Sequence, residues 1–188
     1  MSRMLSKGLG AALLCFSLAA PALAQQLTIS ASPNPSQVGQ MIGVDVMISG
    51  ITDLYGYQFS LGFDPSLLMA NSSSEGSFLS SAGSTFGDPG TIDNIGGMVS
   101  YSAYTLVGAM PGASGGGVLI HMNFTALAAG TATLTFSDAI FLDSQLGDIA
   151  VTAQSGNLTL VSAVPEPASL GLMLVGLGFV AWRRRSAA

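Results

Sequence analysis

Nine carboxylates and one imidazole are the only side chains between residues 25 and 163 that carry a full charge or exchange a proton near neutral pH. The acids are Asp45, Asp53, Asp64, Glu75, Asp88, Asp93, Asp138, Asp143 and Asp148, and the base is His121. Asp138, Asp143 and Asp148 recur every five residues around one predicted strand and the turn after it. Clustered oxygen ligands of this kind are what Ca²⁺ takes. Five is odd, however, so successive members point to opposite faces of an unbroken strand. The turn through residues 144–147 can still bring Asp143 and Asp148 together, and these two are the candidate Ca²⁺ ligands. The competing reading is that uniform negative charge keeps the chain soluble.

Other chemistries are excluded by shortage. A zinc centre or a nucleophilic triad needs more partners than one histidine and no cysteine beyond Cys15 can supply. His121, between Ile120 and Met122, reads as a rim residue on the polar side of a strand. Paired carboxylates can hydrolyse a glycoside, but these acids fall at strand ends and in loops, so no catalytic residue is assigned. Residues 25–163 contain neither Lys nor Arg, which leaves nothing to grip a phosphate and repels nucleic acid and anionic lipid. Sugar-binding surfaces often stack rings on exposed aromatics, and this stretch has no Trp. Tyr55 and Tyr57 share parity with Phe59 and Phe63 and read as core or its edge. Tyr104 has parity opposite to Val99, Tyr101 and Ala103, which makes it the candidate ligand-binding aromatic.

All five basic residues lie near the two ends of the chain. Arg3 and Lys7 precede an apolar stretch over residues 9–20, then Pro21 and Ala22-Leu23-Ala24: the pattern of a secretory signal peptide over residues 1–24. Cleavage after Ala24 makes Gln25 the first mature residue. Cys15 does not mark a lipoprotein, because Leu14 stands where a small residue is needed, so it leaves with the signal. At the other end, residues 164–188 contain Pro165-Glu166-Pro167, an uncharged stretch over residues 168–182 and the cluster Arg183-Arg184-Arg185. As a helix that stretch spans roughly 22 Å, short of the roughly 30 Å bilayer core. Trp182 at its boundary and three arginines that stay cytoplasmic still favour a transmembrane segment. Each proline fixes its own φ and disfavours helix before it, which keeps Glu166 extended and exposed.

This tail resembles the PEP-CTERM sorting signal of Gram-negative bacteria. The resemblance implies recognition by an exosortase, a membrane-embedded cysteine protease or transpeptidase, in organisms that make exopolysaccharide.

The 139 residues between the two signals lack cysteine and must rely on a core. Their apolar residues alternate, with no sustained helical period. Ile42, Val44, Val46 and Ile48 share one face of a strand, and Tyr55, Tyr57, Phe59, Leu61 and Phe63 mark the next. Residues 70–97 read as a Ser, Gly and Asn-rich crossing between sheets, ordered in part by Phe78, Leu79 and Phe86. Val99, Tyr101 and Ala103 indicate another strand. Gly115-Gly116-Gly117 reads as a flexible connector. Val118, Ile120, Met122 and Phe124 form a further strand, and Ala132, Leu134, Phe136, Ile140 and Leu142 are read as one continuous series. About nine short strands without a convincing helix predict an all-β antiparallel jelly-roll sandwich.

Residues 44–49, Leu54-Tyr55-Gly56-Tyr57-Gln58-Phe59 with its Phe63-Asp64-Pro65 ending, Phe136-Ser137-Asp138-Ala139, Leu142-Asp143 and Gly147 together resemble a cohesin domain, in order and spacing, from Leu27 to Val161. Cohesins are nine-stranded jelly rolls related to carbohydrate-binding modules, and in cellulosomes they hold dockerins. The expected protein is therefore exported, non-enzymatic and displayed at the cell surface or in the extracellular matrix, anchored in the inner membrane before processing. Its sandwich would bind an extracellular protein. The alternatives are a carbohydrate-binding module for exopolysaccharide or plant polysaccharide, linked to polysaccharide catabolism, and a self-associating matrix protein. No cofactor beyond Ca²⁺ is expected, and no nucleic acid partner.

Overall fold

The structure is a computed structural model and describes residues 24–163. The sorting residues Pro165, Glu166, Pro167, Arg183, Arg184 and Arg185, the expected transmembrane segment over residues 168–182 and Ala22 of the expected cleavage site lie outside the described residues. Gln25 lies within them, one residue before the first strand.

The strands are β1 Gln26–Ser32, β2 Ser36–Gln37, β3 Met41–Leu54, β4 Gly56–Gly62, β5 Leu68–Glu75, β6 Thr85–Asp88, β7 Thr91–Asp93, β8 Met98–Leu106, β9 Ala113–Ala126, β10 Gly130–Leu142, β11 Thr152–Ala153 and β12 Gly156–Val161. One helical turn, α1 Ser77–Ser80, follows β5. Nine strands have four or more residues; β2, β7 and β11 are shorter. One sheet has the order β11-β1-β3-β9-β5 and the other β2-β12-β10-β4-β8-β6, with β7 also beside β8. The pairs β1–β11 and β2–β12 are parallel, and the other pairs are antiparallel. This is the all-β sandwich that the alternation predicts.

Register gives the sandwich two distinct ends. Leu54 pairs with Ala113, Leu142 with Gly56, and Gly56 with Thr105, so these residues share one end. Met41 pairs with Thr125, Leu68 with Ala126, Gly62 with Met98 and Gly130 with Leu160, so these share the other. The chain leaves the sandwich at this second end, after Val161.

The core forms where the inner faces meet. Ile42, Val44, Val46 and Ile48 of β3 are buried, as period two requires. Phe59 is fully buried, stacked on Tyr57 at 5.9 Å and edge-on to Phe136 at 5.6 Å between ring centroids. Removing each such side chain from water stabilises the fold by about 1.5–3 kcal/mol. The Tyr57 hydroxyl crosses to the opposite sheet and donates to the Leu119 carbonyl at 2.7 Å, which also accepts from the Gly76 amide at 2.8 Å. Tyr57→Phe is therefore expected to cost about 1 kcal/mol, measured as a lower urea midpoint at unchanged slope. Burial holds this phenol well above its ordinary range.

Three expectations are corrected. First, residues 70–75 do not belong to a crossing but to the edge strand β5, paired with β9, whose Leu68 and Ala70 are buried while most of its serines face water. Second, Gly115-Gly116-Gly117 is no connector. It lies within β9, where a Cβ at Gly116 would stand 2.8 Å from the Ile48 carbonyl oxygen. Third, two β-bulges invert strand phase. Phe59 faces Ser102 but Leu61 faces Val99, and Tyr101 takes a φ of 56°, so Tyr101 is 59 % exposed beside buried Val99. Ser137 faces Ser60 but Ile140 faces Gln58, with Asp138 at a φ of 52°, so Phe141 is buried and Ile140 turns outward. An added residue shifts a two-residue period by one and moves every later side chain to the other face.

Candidate functional site

The second bulge creates the most distinctive surface of the domain. On the outer face of β10-β4-β8-β6, cross-strand partners form two rows: Ile140, Gln58, Ala103 and Asp88, then Leu142, Gly56, Thr105 and Phe86. Directly opposed residues of a ladder share a face. Small side chains at Gly56 and Ala103 form the floor, and Phe86 and Ile140 rise on either side, 76 % and 47 % exposed. Leu146, 69 % exposed, extends the apolar wall. The resulting open saddle encloses about 570 Å³. Large apolar side chains gathered on one face mark an interaction surface, whereas singly scattered ones need no explanation.

Loops at the same end fix the saddle's border. Asp53, at a φ of 60°, accepts on Oδ1 from the Gly112 amide at 2.6 Å and on Oδ2 from the Ser144 hydroxyl at 2.7 Å and amide at 3.3 Å. Its own amide donates to the Ser114 hydroxyl at 3.0 Å. One carboxylate thus ties together the end of β3, the start of β9 and the turn that carries Leu146. The Ser144 hydroxyl and then the Gly112 amide hold its carboxyl below the ordinary value of 3.8. Asp64 and Asp93 are lowered in the same way by donors in their own turns.

Because the folded state favours the charged form, the latch is complete above pH 3.8 and is lost as the pH falls through the lowered folded value. Amide exchange is expected to show protection at Gly112 and Ser144 lost on acidification below pH 3.8. In Asp53→Asn, Ser144 is expected to lose its protection already at neutral pH, since a side-chain amide nitrogen cannot accept.

The sequence-selected residues fall in several places. Tyr104, expected to be the exposed aromatic, is instead half-buried: it stands opposite buried Tyr57 in the ladder, 6.1 Å from it between ring centroids, and packs against the core because it has the phase of Tyr57 and not that of Ala103 and Thr105. Burial first, then the charges of Glu75 and Asp88, raise its hydroxyl pKa. Asp143 Oδ1 accepts from the Gln145 and Gly147 amides, both at 2.8 Å, and Asp148 lies across an isolated bridge from Leu142. Among the described residues no group of three or more His, Cys, Asp or Glu side chains is placed to hold a metal ion. His121 sits on the outer face of the other sheet, its Nδ1 2.5 Å from Asp45 Oδ1. Sequence reading missed the saddle, whose anchors Phe86 and Ile140 look like packing residues in an alternating pattern.

Comparison with known proteins follows the same architecture. Residues 26–160 match the family model for the cohesin domain, and residues 163–185 match that for the PEP-CTERM protein-sorting motif. A search of curated proteins finds no relative of the chain. Among solved structures, the second type II cohesin module of the cellulosomal adaptor scaffoldin ScaA from Acetivibrio cellulolyticus is 20 % identical, with a TM-score of 0.61 over 76 % of this chain and 98 % of that one. A non-cellulosomal cohesin from the archaeon Archaeoglobus fulgidus is 17 % identical, with a TM-score of 0.59 over 74 % of this chain and 93 % of that one. A type I cohesin–dockerin complex from Clostridium thermocellum contains a chain 12 % identical, with a TM-score of 0.60 over 77 % and 99 %.

Proposed function

The chain belongs to the cohesin family and carries a PEP-CTERM sorting motif, and from that premise we propose that it is an exported, non-catalytic surface module that docks a protein partner on its apolar saddle. The single observation that carries this reading is the clustering of Phe86, Ile140 and Leu146 over a floor of Gly56 and Ala103. Aromatic and aliphatic anchors around a small-residue floor fit the apolar centre of a protein interface better than the hydroxyls of a sugar. The Clostridium thermocellum relative, solved with a dockerin bound, supports a protein partner by analogy of family. The Archaeoglobus fulgidus relative is a non-cellulosomal cohesin, so the fold is not confined to cellulosomes. Processing of the tail by an exosortase-type enzyme belongs to the same proposal.

The two other readings are less well supported. The outer face of β1-β3-β9-β5 is polar enough for a glycan. Its groups bond to one another, however: His121 to Asp45, Asn123 to Ser72 at 3.0 Å and Asn71 to Thr125 at 2.8 Å. Self-association through an open sheet edge is countered on β5, where Asn94 donates to the Ala70 carbonyl and accepts from its amide, at 3.0 and 2.8 Å.

The test is affinity capture by the immobilised exported protein from the source organism's secreted proteins and exopolysaccharide, with calcium and with chelator. Enrichment of one protein, lost in a saddle variant, is the expected result. Polysaccharide captured without protein would replace the docking reading by the carbohydrate one, and capture of neither would favour self-association. Loss of capture in chelator would place calcium, with Asp143 and Asp148 as its proposed ligands, in the mechanism.

A further inference from the structure

Resting on the anchored-tail reading, we infer that the end of the sandwich from which the chain exits lies on the membrane surface, with the docking saddle held away from it. The short tether sets this orientation, and the exposed side chains at the exit end suit it.

The described chain ends at Ala163, and only residues 164–167 separate it from the uncharged stretch 168–182. Even fully extended, that connection reaches no more than about 18 Å. An anchored tail therefore keeps the exit end close to the bilayer. β9 runs the length of the domain in 14 residues, so the saddle end stands roughly 40 Å further along the strand direction.

Met41, Met69, Leu127, Val161, Ile95 and Met98 are exposed large hydrophobics, and all lie at the exit end. Met41 and Met69 flank Thr125 in one cross-strand row, and Ile95 tips the turn after β7 with 95 % of its surface free. The two carboxylates at this end, Asp64 and Asp93, are turned to amide and hydroxyl donors in their own turns. The opposite end carries more carboxylates, Asp53, Asp88, Asp143 and Asp148, of which Asp53 and Asp143 are likewise bonded to loop donors. Phe86, Val107, Ile140 and Leu146 expose apolar surface at the saddle end as well, so the short tether decides which end meets the bilayer, and the apolar rim around the exit gives that end a surface to rest on. A short tether alone would let the domain tilt; the apolar rim is what would fix it upright.

The described domain contains no cysteine, so single thiols report cleanly. The full chain with Cys15→Ser is exported and reconstituted into vesicles of phosphatidylethanolamine with a minority of phosphatidylglycerol, carrying a headgroup-linked acceptor dye. A donor dye is placed through Ala129→Cys at the exit end or Gln145→Cys at the saddle end, both exposed positions. Energy transfer is expected to be several-fold stronger from position 129. Equal transfer from both positions would show a domain that tumbles on its tether and would overturn the inference. With Met69→Asp and Ile95→Asp together, the difference should collapse while the protein still floats with the vesicles. A difference that survives those substitutions would overturn the rim contact. Failure to float with vesicles would instead refute the membrane reading of the tail itself.

Discussion

Phe59→Ala is expected to lower the unfolding free energy by about 3–5 kcal/mol, the range for deleting a large aromatic from a close-packed core. Phe59 is fully buried on the central strand β4 and touches two other rings, Tyr57 and Phe136. The cavity opens between two sheets whose ladders resist collapse, so the loss should lie toward the upper part of that range. Domains of this size have only about 5–15 kcal/mol in total, and with no cysteine in residues 25–163 no disulfide limits the damage. Equilibrium urea unfolding of the wild type and the variant checks this. A loss below about 1 kcal/mol would mean that Phe59 does not occupy the centre of the core. Phe86→Ala is the matched control: it removes the same side chain from a site 76 % exposed to water and should change stability by less than about 0.5 kcal/mol.

Phe86→Asp combined with Ile140→Asp is expected to weaken partner capture by about 30-fold or more, the equivalent of about 2 kcal/mol for an interface anchor. The melting temperature should stay near that of the wild type, because both side chains face water in the free domain. A carboxylate at either position would be stripped of water under a docked partner with no cation of this chain nearby to pair with it, since residues 25–163 contain neither Lys nor Arg. Binding isotherms on the captured partner, with thermal melts of the same preparations, separate the two effects. Undiminished binding would remove the saddle from the interface, whereas a parallel loss of stability would show that Phe86 and Ile140 pack rather than dock.

Much of the fold is readable from the order of residue types. The β3 series Ile42, Val44, Val46 and Ile48 keeps one phase along its ladder, so alternation alone places it in the core. The β8 and β10 series do not keep one phase. Tyr101 and Asp138 each introduce a left-handed residue into a strand, on either side of β4, where the buried hydroxyl of Ser60 accepts from the Tyr101 amide at 3.1 Å. Neither residue is a glycine, and nothing in the alternation announces a bulge at either.

The sequence by itself determined the sandwich, the family resemblance, the wholly anionic character of the domain and the C-terminal sorting motif. These follow from composition, period and short-range motifs, which act between residues close in the chain. Only the tertiary structure decided which apolar residues face water. Ile140 reaches the surface because Asp138 shifts the phase of β10, and Phe86 meets it across β4 and β8 because the sheet order is β10-β4-β8-β6. The saddle is built from positions 56, 86, 103, 140 and 146. Its location depends on cross-strand register, a relation between distant segments that hydrophobic alternation along one strand does not encode.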